Sequence, residues 1–95
     1  MYDPVVMRRV AEVSPDGGPP GDFTWHATDN GWRYLEFLCP RGCWHMVPVA
    51  GHPQSWAWNG NEDKPTLTPS LKDMGECGWH GFITEGSLTT CGDSP

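Results

Sequence analysis

The residues best suited to chemistry cluster around "CPRGCWH", positions 39–45. Cys39 and Cys43 stand four residues apart around a proline, an arginine and a glycine, and His45 follows two residues later. Further along, Cys77 and His80 have C-x2-H spacing, and Cys91 lies close to the end. A structural zinc takes four thiolate or imidazole donors in a tetrahedron, and C-x3-C falls within the usual range of ligand spacings. Four ligands drawn from Cys39, Cys43, Cys77, His80 and Cys91 would satisfy it, with His45 as a sixth candidate. The alternatives are disulfides and plain buried thiols. A Cys39–Cys43 bridge would be strained across so short a loop. A Cys77–Cys91 bridge is easier and would stabilise by about 3 kcal/mol on the chain-entropy model. A structural zinc contributes more, roughly 10–16 kcal/mol in small fingers. A redox pair wants C-x-x-C at a helix start, and the sequence has none.

The chain around these residues is short. Ninety-five residues imply one domain, positions 1–95, with a thin core for which a staple is expected. Twelve glycines and ten prolines oppose long helices and favour turns. Six tryptophans supply much of the burial such a core needs. The formal net charge of −6 argues against broad contact with nucleic-acid phosphates, which rests on Lys and Arg; it leaves room for a small basic spot, such as Arg8, Arg9, Arg33 and Arg41. The start, "MYDPVVMRRVAEV", lacks the charge-then-apolar order of a signal peptide, and no stretch reaches the ~20 apolar residues of a membrane span. The expected compartment is the cytoplasm, where thiols stay reduced and cysteine clusters more often hold metal. The sequence leaves oligomeric state open.

The elements that must position these groups read as strands. In residues 5–13, Val5, Met7, Ala11 and Val13 share one face at period two, although Asp3-Pro4 would also suit a helix start. "SPDGGPPGD" (14–22) reads as a flexible loop. "FTWHAT" (23–28) and "WRYLEFLC" (32–39) form a hairpin about "DNG", with Leu35, Phe37 and Cys39 on one face and Trp32, Tyr34 and Leu38 on the other. "HMVPVA" (45–50) reads as a short strand whose proline suggests an edge. "SWAWNG" (55–60) reads as a strand, "NEDKPTLTPSL" (61–71) as a polar loop with extended residues, and 79–91 as a last hairpin with Glu85-Gly86 at its tip. The predicted fold is a small, mostly β domain of antiparallel strands and hairpins with Gly/Pro-rich loops, stabilised by one structural zinc.

A second constellation concerns binding. Trp58, Asn59, Thr66, Thr68 and Ser70 offer an aromatic ring, an amide and hydroxyls within 13 residues, with prolines that pre-order the backbone. His45 either joins this surface as an acid–base group or approaches the metal. The plain alternative is that Trp56 and Trp58 are core, since small chains must bury what they can. Glu62 and Asp63 read as a solvated turn.

The segments "FLCPRGCWHMVPV", "WAWNGNEDKPTLTPSL" and "CGWHGFITEG", followed by Cys91, resemble a family of small phage and prophage proteins of unknown function, some of which carry an "ammonia monooxygenase" label. The resemblance covers residues 32–91. It implies phage origin and a metal site on Cys39, Cys43 and Cys77, completed by His80 or Cys91, and it implies no established reaction. On this basis the expected function is a zinc-binding interaction module that binds and blocks a host protein, such as a defence or transcription component. A virion structural or assembly accessory protein, and a small zinc- or histidine-dependent enzyme, are the other two classes. A closed set of thiolates favours binding over catalysis, because a catalytic zinc keeps a position open.

Overall fold

The structure, a computed structural model, describes residues 4–50, 53–72 and 77–92. Among these described residues nine strands follow one another: β1 (Val5–Val6), β2 (Arg8–Arg9), β3 (Asp22–Ala27), β4 (Arg33–Leu38), β5 (Trp44–Ala50), β6 (Ala57–Trp58), β7 (Leu67–Lys72), β8 (His80–Thr84) and β9 (Ser87–Thr90). No helix occurs among the described residues, as 22 glycines and prolines lead one to expect. The strands form two sheets, β1-β9-β8-β7-β6 and β2-β3-β4-β5. Every pairing is antiparallel except β2 with β3, which is parallel.

The valine-rich start is therefore not one strand. It splits at buried Met7, so that β1 joins one sheet and β2 the other. On the opposite side the sheets meet where the Trp56 N–H donates to the Pro48 carbonyl at 2.9 Å. Between them lies one apolar core. Phe23, Leu35 and Phe37 face Leu67, Ile83 and Leu88, and all six are almost fully buried. The period-two pattern of β4 places Leu35, Phe37 and Cys39 in this core. The other face of β4 is covered too: Leu38 is buried, and the 14–22 segment lies over it, with the Gly21 N–H donating to the Leu38 carbonyl at 2.9 Å.

The segment 61–71 departs from its reading as a loop, since Leu67–Lys72 is a strand between β6 and β8. Two prolines and six hydroxyl or charged residues hid it. Its ladder admits Pro69 because of an irregularity: Leu67 pairs with Ile83 and Leu71 with Gly81, so Thr68, Pro69 and Ser70 stand opposite Phe82 alone. The Thr68–Pro69 peptide is cis. Bulges of this kind re-aim side chains and release the strand from donating a ladder bond at proline.

Candidate functional site

The first site is the cysteine cluster. The chain turns back on itself after β4: the Gly42 N–H donates to the Cys39 carbonyl at 2.7 Å, and the Cys39 N–H donates to the Cys43 carbonyl at 3.0 Å. This tight loop sets Cys39 and Cys43 at one end of the β4–β5 sheet. Cys77, just before β8 of the other sheet, meets them there, its Sγ 3.6 Å from Cys39 Sγ. The ligand atoms of Cys39, His45 and Cys77 all lie within 4.8 Å of one another, close enough to hold a metal ion. His45 reaches the cluster from β5, its ring stacked on Phe37 with centroids 5.1 Å apart and its Nε2 buried. Burial pushes the Cys39 thiol up from 9.0 to about 12, with the neighbouring Cys77 adding to the effect. The Cys43 thiol is pushed up as well, first by its hydrogen bond with Cys77 and then by burial. A cation held by these thiols would reverse that balance.

The second site was not legible as such. Ser70, in the bulge of β7, and His80, at the start of β8, lie with Oγ and Nε2 3.0 Å apart. The bulge supplies the register: without three residues opposite one, Ser70 would not fall at this position relative to His80. The neighbours on either side are fixed. Leu71 and Trp79, the residues after Ser70 and before His80, are buried in the core. Trp79 donates its indole N–H to Thr90 Oγ1 at 3.0 Å, and Trp56 donates its own to the Ser70 carbonyl at 3.3 Å. Both members of the pair are half-buried. A hydroxyl in hydrogen-bond reach of an imidazole is the nucleophile-and-base arrangement of covalent catalysis. The sequence named both residues in other roles, His80 as a metal candidate and Ser70 as part of a binding surface. Nine intervening residues and no G-x-S-x-G turn left nothing local to link them.

The other singled-out residues are placed as follows. Cys91 lies across from His80, its N–H donating to the His80 carbonyl at 2.8 Å. Trp58 packs on Trp25 with centroids 4.8 Å apart, and the Arg33 guanidinium stands over both rings at 5.0 and 5.4 Å. The Asn59 side chain closes its own loop, accepting from the Asn61 and Thr66 amides, each at 3.1 Å. Thr66 Oγ1 accepts from the Glu85 amide at 2.8 Å, and Thr68 is exposed. Of the basic set, Arg8 pairs with Asp22, Arg9 with Glu62 and Asp63, and Arg33 with Glu62.

A small two-sheet β domain with a Cys/His cluster at one end and a Ser–His pair on a bulged strand is thus the class of protein that the geometry defines. The model of one family, "Bacterial ubiquitination-like system serine protease (BubE)", matches residues 10–91, and the chain belongs to that family. No curated protein and no solved structure matches it. No helix among the described residues is long and apolar enough to cross a membrane.

Proposed function

We propose that this chain is a serine-type protease of a bacterial ubiquitination-like system, with Ser70 as nucleophile and His80 as general base. The observation that carries the reading is the 3.0 Å contact between Ser70 Oγ and His80 Nε2, in a chain whose family is described as a serine protease. In this mechanism His80 Nε2 accepts the Ser70 proton as Oγ attacks the scissile carbonyl carbon. The resulting tetrahedral intermediate collapses, the C–N bond breaks, and His80 returns the proton to the departing amine. Water, deprotonated by His80, then attacks the acyl-serine ester, releasing the acid and restoring the hydroxyl.

The cysteine cluster holds zinc in this reading, and its role is structural. Cys39, Cys43, His45 and Cys77 would be the four donors, leaving His80 for the serine. Three thiols with one imidazole suit zinc, and a complete protein shell leaves no open position for hydrolysis. When bound, the ion would supply a cross-link between the sheets rather than a reactive water.

Labelling with a fluorophosphonate, which phosphonylates activated serines, tests the assignment. The wild-type protein is expected to label at Ser70, as located by peptide mass spectrometry. Ser70→Ala and His80→Ala are expected not to label, while both keep their fold and metal content. Equal labelling of Ser70→Ala would remove Ser70 from the chemistry. A wild-type protein that never labels, and whose Ser70→Ala variant keeps its full effect on cells, would instead favour the module that binds and blocks a host protein.

A further inference from the structure

A cleft of about 310 Å³ opens between the two sheets, lined by the chain neighbours of Ser70 and His80 rather than by the pair itself. Phe37, Leu71 and Trp79, all buried, form its floor, and Trp56, Met46 and Lys72 are among the residues around it. Its link to the pair runs through residues next to the two in the chain and through two contacts. Leu71 and Lys72 follow Ser70 in β7, and Trp79 precedes His80. Lys72 stands opposite His80 in the ladder, and Trp56 holds the Ser70 carbonyl through its indole N–H at 3.3 Å. The lining is mostly aromatic and aliphatic, in the size range of small-ligand sites. Met46, in the lining, is 44% exposed and so accessible to an incoming ligand. Lys72 is the one lysine or arginine of the lining, in a chain of net charge −6.

From these observations we infer that the cleft is the specificity subsite of the protease proposed above. Its occupant is an extended peptide with a bulky apolar side chain next to the scissile bond and a carboxylate close by. The apolar side chain fills the space over Phe37, Leu71 and Trp79. The carboxylate, from an acidic side chain or from the peptide's own C-terminus, meets Lys72 at the rim. The pairing of Lys72 with His80 and the hydrogen bond from Trp56 to the Ser70 carbonyl set the position of this residue, and the charge of Lys72 sets the sign of its neighbour. The inference rests on the protease reading and adds which peptides are cleaved.

The test uses the full-length, metal-replete protein and fluorogenic peptides compared as pairs. Leu or Phe is set against Ala on either side of the cut, Glu against Lys beside it, and a free C-terminus against an amidated one. We expect kcat/KM to favour the bulky residue at least tenfold, in line with what one or two methylenes contribute in an apolar pocket. Acidic peptides should be preferred to basic ones, and Lys72→Glu should reverse that ratio. A preference that follows the Glu/Lys exchange identifies a side-chain carboxylate, and one that follows amidation identifies the C-terminus. Met46→Trp, which narrows the cleft, should penalise Phe peptides more than Ala peptides. Fluorophosphonate labelling of Ser70 separates the two ideas. If Ser70 labels but bulky and small peptides are cut within twofold of each other, or Lys72→Glu leaves the charge ratio unchanged, the subsite is overturned and the hydrolase survives. If Ser70 does not label, both fall.

Discussion

At the scale of single residues, the chemistry of this chain depends on which partner each histidine finds. His45 reaches the thiols, and His80 reaches a hydroxyl. The two sites therefore respond differently to the same substitution. His45→Ala is expected to lower zinc affinity by more than the 10–100-fold that changes in outer-shell partners cost, measured by competition with a chromophoric chelator. His80→Ala should leave that affinity within a few-fold of wild type. The thiols add a pH signature to the metal-free protein. Cys39 is held near 12 in the fold against 9.0 for the free group, so the folded state keeps its proton where the unfolded chain loses it. A raised pKa contributes stability that is complete below pH 9 and is lost as pH climbs toward 12. Urea unfolding of the chelated protein should show a midpoint that falls across this window, whereas the zinc-loaded protein should not share the trend from Cys39.

Among elements, the β8–β9 hairpin supports the proposed catalytic pair. It carries His80 at one end and turns on Glu85-Gly86, where Thr84 pairs with Ser87 and both turn residues have positive φ, 47° and 75°. Such two-residue turns suit Asn-Gly, and Glu at φ 47° is strained. Glu85→Asn is expected to stabilise by about 0.5 kcal/mol in urea titrations, the scale of turn-propensity effects. Gly81 makes the opposite prediction. A Cβ there would collide with the Thr89 carbonyl oxygen and with the Trp79 ring. Because Trp79 neighbours His80 and floors the cleft, Gly81→Ala is expected to cost about 1–3 kcal/mol. It should also slow fluorophosphonate labelling of Ser70, a readout that overpacking remote from the pair would not change. The bulge of β7 is as specific: deleting one of Thr68, Pro69 or Ser70 shifts Leu71 to the wrong face.

Over the whole molecule, the proposed zinc is a clamp between layers. Cys39, Cys43 and His45 belong to the end of the four-stranded sheet, and Cys77 leads into the five-stranded one. A small core gives the sheets limited hold on each other, so metal binding and folding are coupled. Chelation is expected to lower the melting temperature markedly, as followed by calorimetry, and to abolish labelling of Ser70 as the turn from Cys77 to His80 loses its anchor. Readdition of zinc should restore both. The far side of the molecule is held by other means. Arg33 stands over Trp25 and Trp58, while Arg9 and Arg33 pair with Glu62, and the Trp25 indole donates to the Glu62 carbonyl at 2.9 Å. The 59–64 loop is thereby tied to the four-stranded sheet, and Trp58 serves as a brace in that packing.

The sequence by itself determined the β class, the hairpin about residues 29–31, the core face of Leu35, Phe37 and Cys39, the turn at Glu85-Gly86, and the gathering of Cys39 with Cys77. These follow from period two, turn chemistry and the behaviour of thiols, all of which act over a few residues or through a distinctive atom. Tertiary structure alone decided the rest. Whether His45 or His80 meets the thiols depends on how two sheets overlay, and an imidazole has no spacing rule that reveals it. The strand in 67–72 was hidden because a bulge, a feature of pairing, is what admits its proline. The Ser70–His80 pair exists only through that register, since each residue taken alone is an ordinary serine and an ordinary histidine.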